Sequence, residues 1–125
     1  MNNMLKVIVA LPAILFMVLG FRWLIDPTGI ALEFGFTLAD GLGRSSQVGD
    51  MFGYFLTLAL CILLALVTGQ RIWYYPPIMM LSLTAIARVL AWVMHDATLA
   101  LQMIGVEVVT TIILLAASRR LANDP

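Results

Sequence analysis

Apolar residues run through this chain in four long blocks, at about residues 4–25, 48–68, 76–94 and 98–118. A bilayer core needs about 20 consecutive, mostly apolar residues per helix. Each block meets that length, so each predicts a membrane-spanning helix. The connection TGQRIWYY between the second and third blocks is short, and HDA between the third and fourth is shorter. Connections this tight predict antiparallel helical hairpins. Trp73, Tyr74 and Tyr75 are expected in the headgroup belt, where amphipathic rings sit between water and hydrocarbon.

The first connection differs. DPTGIALEFGFTLADGLGRSSQ occupies residues 26–47. Asp26 followed by Pro27 reads as a helix cap and first helical position. A short helix or folded loop is expected there, ended by the glycines of ADGLG. A lid over the bundle is the plainer expectation for it, and a functional element the alternative. Pro12 is expected to kink the first helix, whereas Pro76 and Pro77 fall in permitted first-turn positions of the third.

Composition agrees with the pattern. Of 125 residues, 62% are hydrophobic and 11% charged, against roughly 45–50% and 25% in soluble domains. The apolar run after MNNMLK outlasts a signal peptide and no A-x-A site follows, so it reads as a retained helix. The fold expected is all-α: a polytopic membrane four-helix bundle, one domain over residues 1–125, with a long outer loop between helices 1 and 2. Lys6, Arg71, Arg119 and Arg120 gather at one end of the bundle. Arg22 and Arg44 lie at the other, with Asp26, Glu33, Asp40 and Asp96. The positive-inside rule then places both termini in the cytoplasm of a bacterial inner membrane.

Charge changes the picture inside the apolar blocks. Arg88 lies about six residues, roughly 9 Å, below the outer end of the third block. Glu107 lies about nine residues, roughly 13 Å, below the same surface in the fourth. The tight HDA turn makes these helices neighbours, so an Arg88–Glu107 pair is expected. An isolated charge at a helix centre costs about 2.5–3.5 kcal/mol on the insertion scale, and pairing removes much of that. Arg22 and Asp50 are expected nearer the outer rim, Asp50 as a cap of the second helix. Apart from Lys6, every charge in the spans falls in the outer half, which suggests a polar pocket opening outward. Helical spacing collects Asp50, Tyr54, Thr57, Cys61 and Thr68 on one face. It likewise collects Thr84, Arg88, Ala91 and His95, and then Glu107, Thr111 and Ser118. These stripes are expected to face a shared interior. His95 and Asp96 form either a pH-sensitive pair or a solvated turn. The candidate cluster, structural or ligand-binding, is therefore Arg88, Glu107, Asp50, Arg22, Thr84, Tyr54, His95 and Asp96.

Other chemistry is excluded by inventory. Cys61 is the only cysteine and His95 the only histidine. An internal disulfide, a cysteine zinc cluster and a bis-histidine haem within the chain are impossible. The eight methionines form no regular array and read as packing groups. No cofactor and no metal is expected. Zero net charge without a basic block argues against nucleic acid. The expected partners are the bilayer and either protein subunits or further copies of the chain.

GFRWLIDP, GDMFGYF, ARVLAWVMHD and the mid-helix Glu107 together resemble an uncharacterised bacterial family of small four-helix inner-membrane proteins, a domain of unknown function loosely similar to DoxX-like proteins. The resemblance runs from about Gly20 to Ser118. Arg88, Asp96 and Glu107 fall at the family's Arg, Asp and Glu positions. VGDMFGYF departs from the pattern, lacking the family's Arg and carrying Tyr54 in place of a Gly. The resemblance implies a four-helix bundle with a common polar cluster. The DoxX-like proteins' part in membrane oxidoreductases implies a subunit role. An accessory or assembly subunit of a larger membrane complex is accordingly the first expectation for function. A small-molecule or lipid binder or transporter with an outward-facing pocket is the second. A membrane enzyme using Glu107 or Asp50 beside Arg88 is the third.

Overall fold

The computed structural model describes residues 2–124. Five α-helices account for most of them: α1 (Asn2–Ile25), α2 (Pro27–Glu33), α3 (Gly41–Thr68), α4 (Tyr75–His95) and α5 (Leu101–Arg120), with a 3-10 turn (Arg71–Tyr74) leading into α4. No strand forms among the described residues. All four long helices, counting the 3-10 turn with α4, are long and apolar enough to cross a membrane.

α1 and α3 pack as an antiparallel pair, α4 and α5 as a second pair. α1 buries Val9, Ala13, Phe16, Gly20 and Trp23, a repeat of alternating fours and threes that keeps one stripe against its partner. α3 answers with Phe55, Leu58, Ala59, Ile62 and Ala65. Gly20 packs tightly against α3: a Cβ there would collide with the Leu56 side chain. α1 remains one helix through the buried Pro12.

The two pairs are fastened at the end where the chain termini lie. The Arg71 Nε donates to the Ser118 carbonyl at 2.8 Å, and its backbone N–H to the Asp124 carboxylate at 3.1 and 3.3 Å. The Asn123 N–H donates to the Gly69 carbonyl at 2.7 Å. Gly69 adopts φ 70°, the left-handed conformation that ends helices without the strain of a Cβ. At the opposite end the pairs diverge. α4 buries only Pro77, Leu81 and Ala85, and no residue from 86 to 106 is buried.

Three expectations change here. The glycines of ADGLG begin α3 instead of ending the short helix, which closes at Phe34. α3 therefore starts at Gly41, seven residues before the apolar block at 48. Hydropathy marks where a helix enters hydrocarbon, and a helix that continues into water needs no apolar residues. The long connection shrinks to α2 and residues 34–40. Gln47 ties those residues to α3: its amide donates to the Thr37 carbonyl at 3.2 Å and its oxygen accepts from the Ala39 N–H at 2.8 Å. Asp50, well inside α3, is exposed and caps nothing; Asp40 occupies the cap position. Tyr74 lies in the 3-10 turn, fully buried in the core with its hydroxyl unpartnered, and so is not free for a headgroup belt. Trp73 is half-buried and Tyr75 exposed.

Candidate functional site

The divergence of the two helix pairs leaves a half-open cavity of about 260 Å³ on the α2 side of the molecule. Its polar wall comes from Tyr54 on α3, Arg88 on α4, Gln102 and Glu107 on α5, and Glu33 at the end of α2. Leu15, Phe16, Leu19, Phe34, Phe55, Leu81, Met103 and Val106 make the rest.

Arg88 and Glu107 meet as depth matching predicts. The Arg88 Nε–H is shared between both Glu107 carboxylate oxygens, at 3.1 Å each. The glutamate side chain is 9% exposed and the arginine 29%. The arginine thus remains open to the cavity while its partner is almost enclosed. Thr111 donates its hydroxyl to the Glu107 carbonyl at 2.7 Å, a back-bond within α5 that occupies the hydroxyl's hydrogen.

Tyr54 and Thr84 also meet, with their oxygens 2.9 Å apart. Thr84 in turn donates to the Met80 carbonyl at 2.6 Å. α4 presents Thr84 and Arg88 one turn apart on the same face, Arg88 lining the cavity and Thr84 meeting Tyr54 beside it. Tyr54 is positioned from behind by Phe55, edge-on at 5.2 Å. Phe55 stacks on Phe16 at 6.0 Å and meets Phe34 edge-on at 5.6 Å. Phe34 then meets Trp23 edge-on at 6.0 Å. This aromatic chain carries α2 onto the α1–α3 pair, and Trp23 is fully buried beneath it with its indole N–H unpartnered.

α2 is held at both ends. The Asp26 carboxylate accepts from the Gly29 N–H at 3.3 Å, the side-chain cap that Asp-Pro predicts. Glu33 closes on Arg22 at 2.5 Å, and Asp26 lies 3.6 Å from the same guanidinium. The hydrogen bond from Arg22 holds the Glu33 carboxyl below its ordinary range, against a smaller opposing effect of desolvation. The Arg22–Glu33 contact was not foreseeable from spacing. It depends on α2 folding back over the end of α1, a tertiary event with no periodic signal.

Of the eight candidate residues, Arg88, Glu107 and Tyr54 line the cavity and Thr84 supports Tyr54. Arg22 reaches it only through Glu33. Asp50, His95 and Asp96 are exposed and stand apart. Thr57 and Thr68, from the same predicted stripe as Asp50, are exposed too. A stripe along a helix this long spans both sides of a packed seam, so its ends leave the interior. Asp96 adopts φ 55° at the end of α4, a conformation short polar residues tolerate in turns. Gln102, Glu33 and the aromatic chain were missed by sequence reasoning. Among the described residues no three His, Cys, Asp or Glu side chains come together. Comparison with family models, curated proteins and solved structures finds no match to this chain.

Proposed function

We propose that this protein is a multi-pass protein of the bacterial cytoplasmic membrane that binds a small membrane-borne amphiphile. The observation that carries the proposal is the half-open cavity of about 260 Å³ with a charged pair on one wall and apolar side chains on the rest. Binding pockets are mostly apolar with a few placed polar groups that fix orientation. A pair kept only for structure would be expected closed and dry. Arg88 instead keeps part of its side chain in the opening. The basic residues Lys6, Arg71, Arg119 and Arg120 favour cytoplasmic termini, which turns the cavity toward the outer half of the bilayer.

The test is retention of lipid by the protein purified in nanodiscs, read by native mass spectrometry. Val106→Trp places an indole in the cavity from an exposed wall position. The intact protein is expected to retain an amphiphile, and the variant to lose at least about tenfold in affinity, equivalent to about 1.4 kcal/mol. No retained amphiphile, or equal retention by Val106→Trp, overturns the proposal.

A second reading, an accessory subunit of a larger membrane complex, is favoured by α4. That helix keeps only three side chains buried and leaves the rest of its surface for lipid or a partner helix. Co-purification with a larger complex in mild detergent supports it, and a strictly solitary protein overturns it.

A further inference from the structure

We infer that the amphiphile taken by this cavity has an uncharged headgroup that both accepts and donates hydrogen bonds, of the monoacylglycerol class, and is not a fatty-acid anion. The inference rests on the binding reading above and adds the chemistry of the headgroup.

Charge is the first argument. Arg88 and Glu107 cancel within the pair. Glu33, the other charge on the wall, is paired with Arg22, which also faces Asp26 and so brings no surplus positive charge. The lining has no excess charge to offer an anion. A carboxylate reaching Arg88 would also lie beside the carboxylate of Glu107, and like charges sharing a poorly hydrated site disfavour one another.

Proton accounting is the second. A guanidinium has five N–H donors. Arg88 gives its Nε–H to Glu107, and its terminal nitrogens have no hydrogen-bond partner among the described residues. They are the donors available to a ligand. Tyr54 supplies the opposite. A threonine hydroxyl has a single hydrogen, and Thr84 gives it to the Met80 carbonyl. Tyr54 must therefore be the donor in its 2.9 Å contact with Thr84. With that hydrogen committed, the Tyr54 oxygen turns only lone pairs to the cavity. Glu107, an acceptor on all its free positions, does the same.

The wall thus offers donors at Arg88, acceptors at Tyr54, Glu107 and Glu33, and both at the Gln102 amide. A headgroup joining an ester carbonyl to free hydroxyls satisfies both sets. The carbonyl accepts from Arg88, and a hydroxyl donates to Tyr54. A fatty-acid anion has no donor and would leave the Tyr54 oxygen facing lone pairs. The acyl chain leaves along Leu15, Leu19 and Val106.

The experiment compares three oleoyl probes against the protein in phosphatidylcholine nanodiscs at neutral pH: monooleoylglycerol, oleate, and methyl oleate, which accepts but does not donate. Monooleoylglycerol is expected to bind at least about tenfold more tightly than either of the others. Thr84→Val frees the Tyr54 hydrogen to turn into the cavity and is expected to narrow the gap between methyl oleate and monooleoylglycerol by about tenfold, on the order of one hydrogen bond. Circular dichroism and thermal melting confirm that the variant is folded, and Thr84→Ser, which keeps the hydroxyl, restores the original preference. Oleate binding as tightly as monooleoylglycerol, or an unmoved preference in folded Thr84→Val, overturns the headgroup assignment while leaving the pocket standing. Failure of all three probes to bind overturns the pocket reading and this inference together.

Discussion

Arg88 gives one donor to Glu107 and keeps the others free, and that division decides how the pair should respond to substitution. Arg88→Leu leaves a nearly enclosed carboxylate without its counter-charge. Loss of one partner of a buried pair costs about 3–5 kcal/mol, and the partial exposure of Arg88 places the expected loss at the low end, about 3 kcal/mol. Glu107→Leu in the same chain should recover most of it in chemical or thermal unfolding, since an apolar pair of similar volume is often neutral or stabilising. The double variant should nevertheless retain no amphiphile. Recovery of stability together with intact binding would show that the pair only holds the helices. This pairing was legible in the sequence because two charges in apolar blocks must be answered, and a short turn fixes which helices adjoin, although that turn runs over residues 96–100 and not over HDA, because α5 starts only at Leu101. The Tyr54–Thr84 contact was half legible: both residues fell on predicted inward stripes, but nothing in spacing says which pairs of hydroxyls touch. The Trp23, Phe34 and Phe55 cluster was illegible, because aromatic residues in apolar blocks give the same signal whether they face protein or lipid.

At the scale of elements, α2 is the part whose attachment depends on surface chemistry. Its end is held by Arg22 and Glu33, and the Glu33 carboxyl titrates below its ordinary range because that hydrogen bond favours the charged form. The sign follows from this direction. A carboxyl whose folded value is depressed stabilises the folded arrangement fully above its unfolded value, about pH 4.3. The contribution is lost as pH falls through the lower folded value. Hydrogen exchange at the α2 amides should therefore accelerate, beyond the intrinsic pH dependence of exchange, only when the solution is taken below about pH 4. Glu33→Gln should remove that acid-dependent step and leave α2 looser at neutral pH. At the other end of the molecule, Arg71→Ala deletes the side-chain bond to the Ser118 carbonyl. The expected cost is about 1–3 kcal/mol for a part-buried acceptor left without its charged donor, measured as a lower unfolding midpoint. The short helix and its Asp-Pro start were predictable from capping chemistry. The early start of α3 was not, because GLGRSSQ carries turn residues and gives no apolar period.

For the whole molecule, the all-helical class and the existence of four long helices were legible from composition and block length alone. The way the pairs diverge was not, since burial of a helix in lipid and burial against another helix leave the same apolar composition. Membrane orientation can be read with single cysteines on a Cys61→Ala background. A thiol introduced at Ser45 should react with an impermeant reagent from outside intact cells, and one at Asn123 only after permeabilisation. The reverse pattern would invert the proposed topology. The helices also differ in length. α3 has 28 residues, about 42 Å at 1.5 Å per residue, whereas α5 has 20, about 30 Å. A hydrocarbon core is about 30 Å thick. The α4–α5 hairpin therefore matches the bilayer with nothing to spare, while α3 overshoots it only by its polar first turns, its apolar part from residue 48 being about 32 Å long. Hydrophobic mismatch should fall on the hairpin, the element fastened at one end only. In long-chain lipids its tip would be submerged, drawing headgroups down beside the cavity. In short-chain lipids it would tilt to hide its apolar tip. Bilayer thickness would then set how wide the opening stands, making this small bundle responsive to the acyl length of the membrane around it.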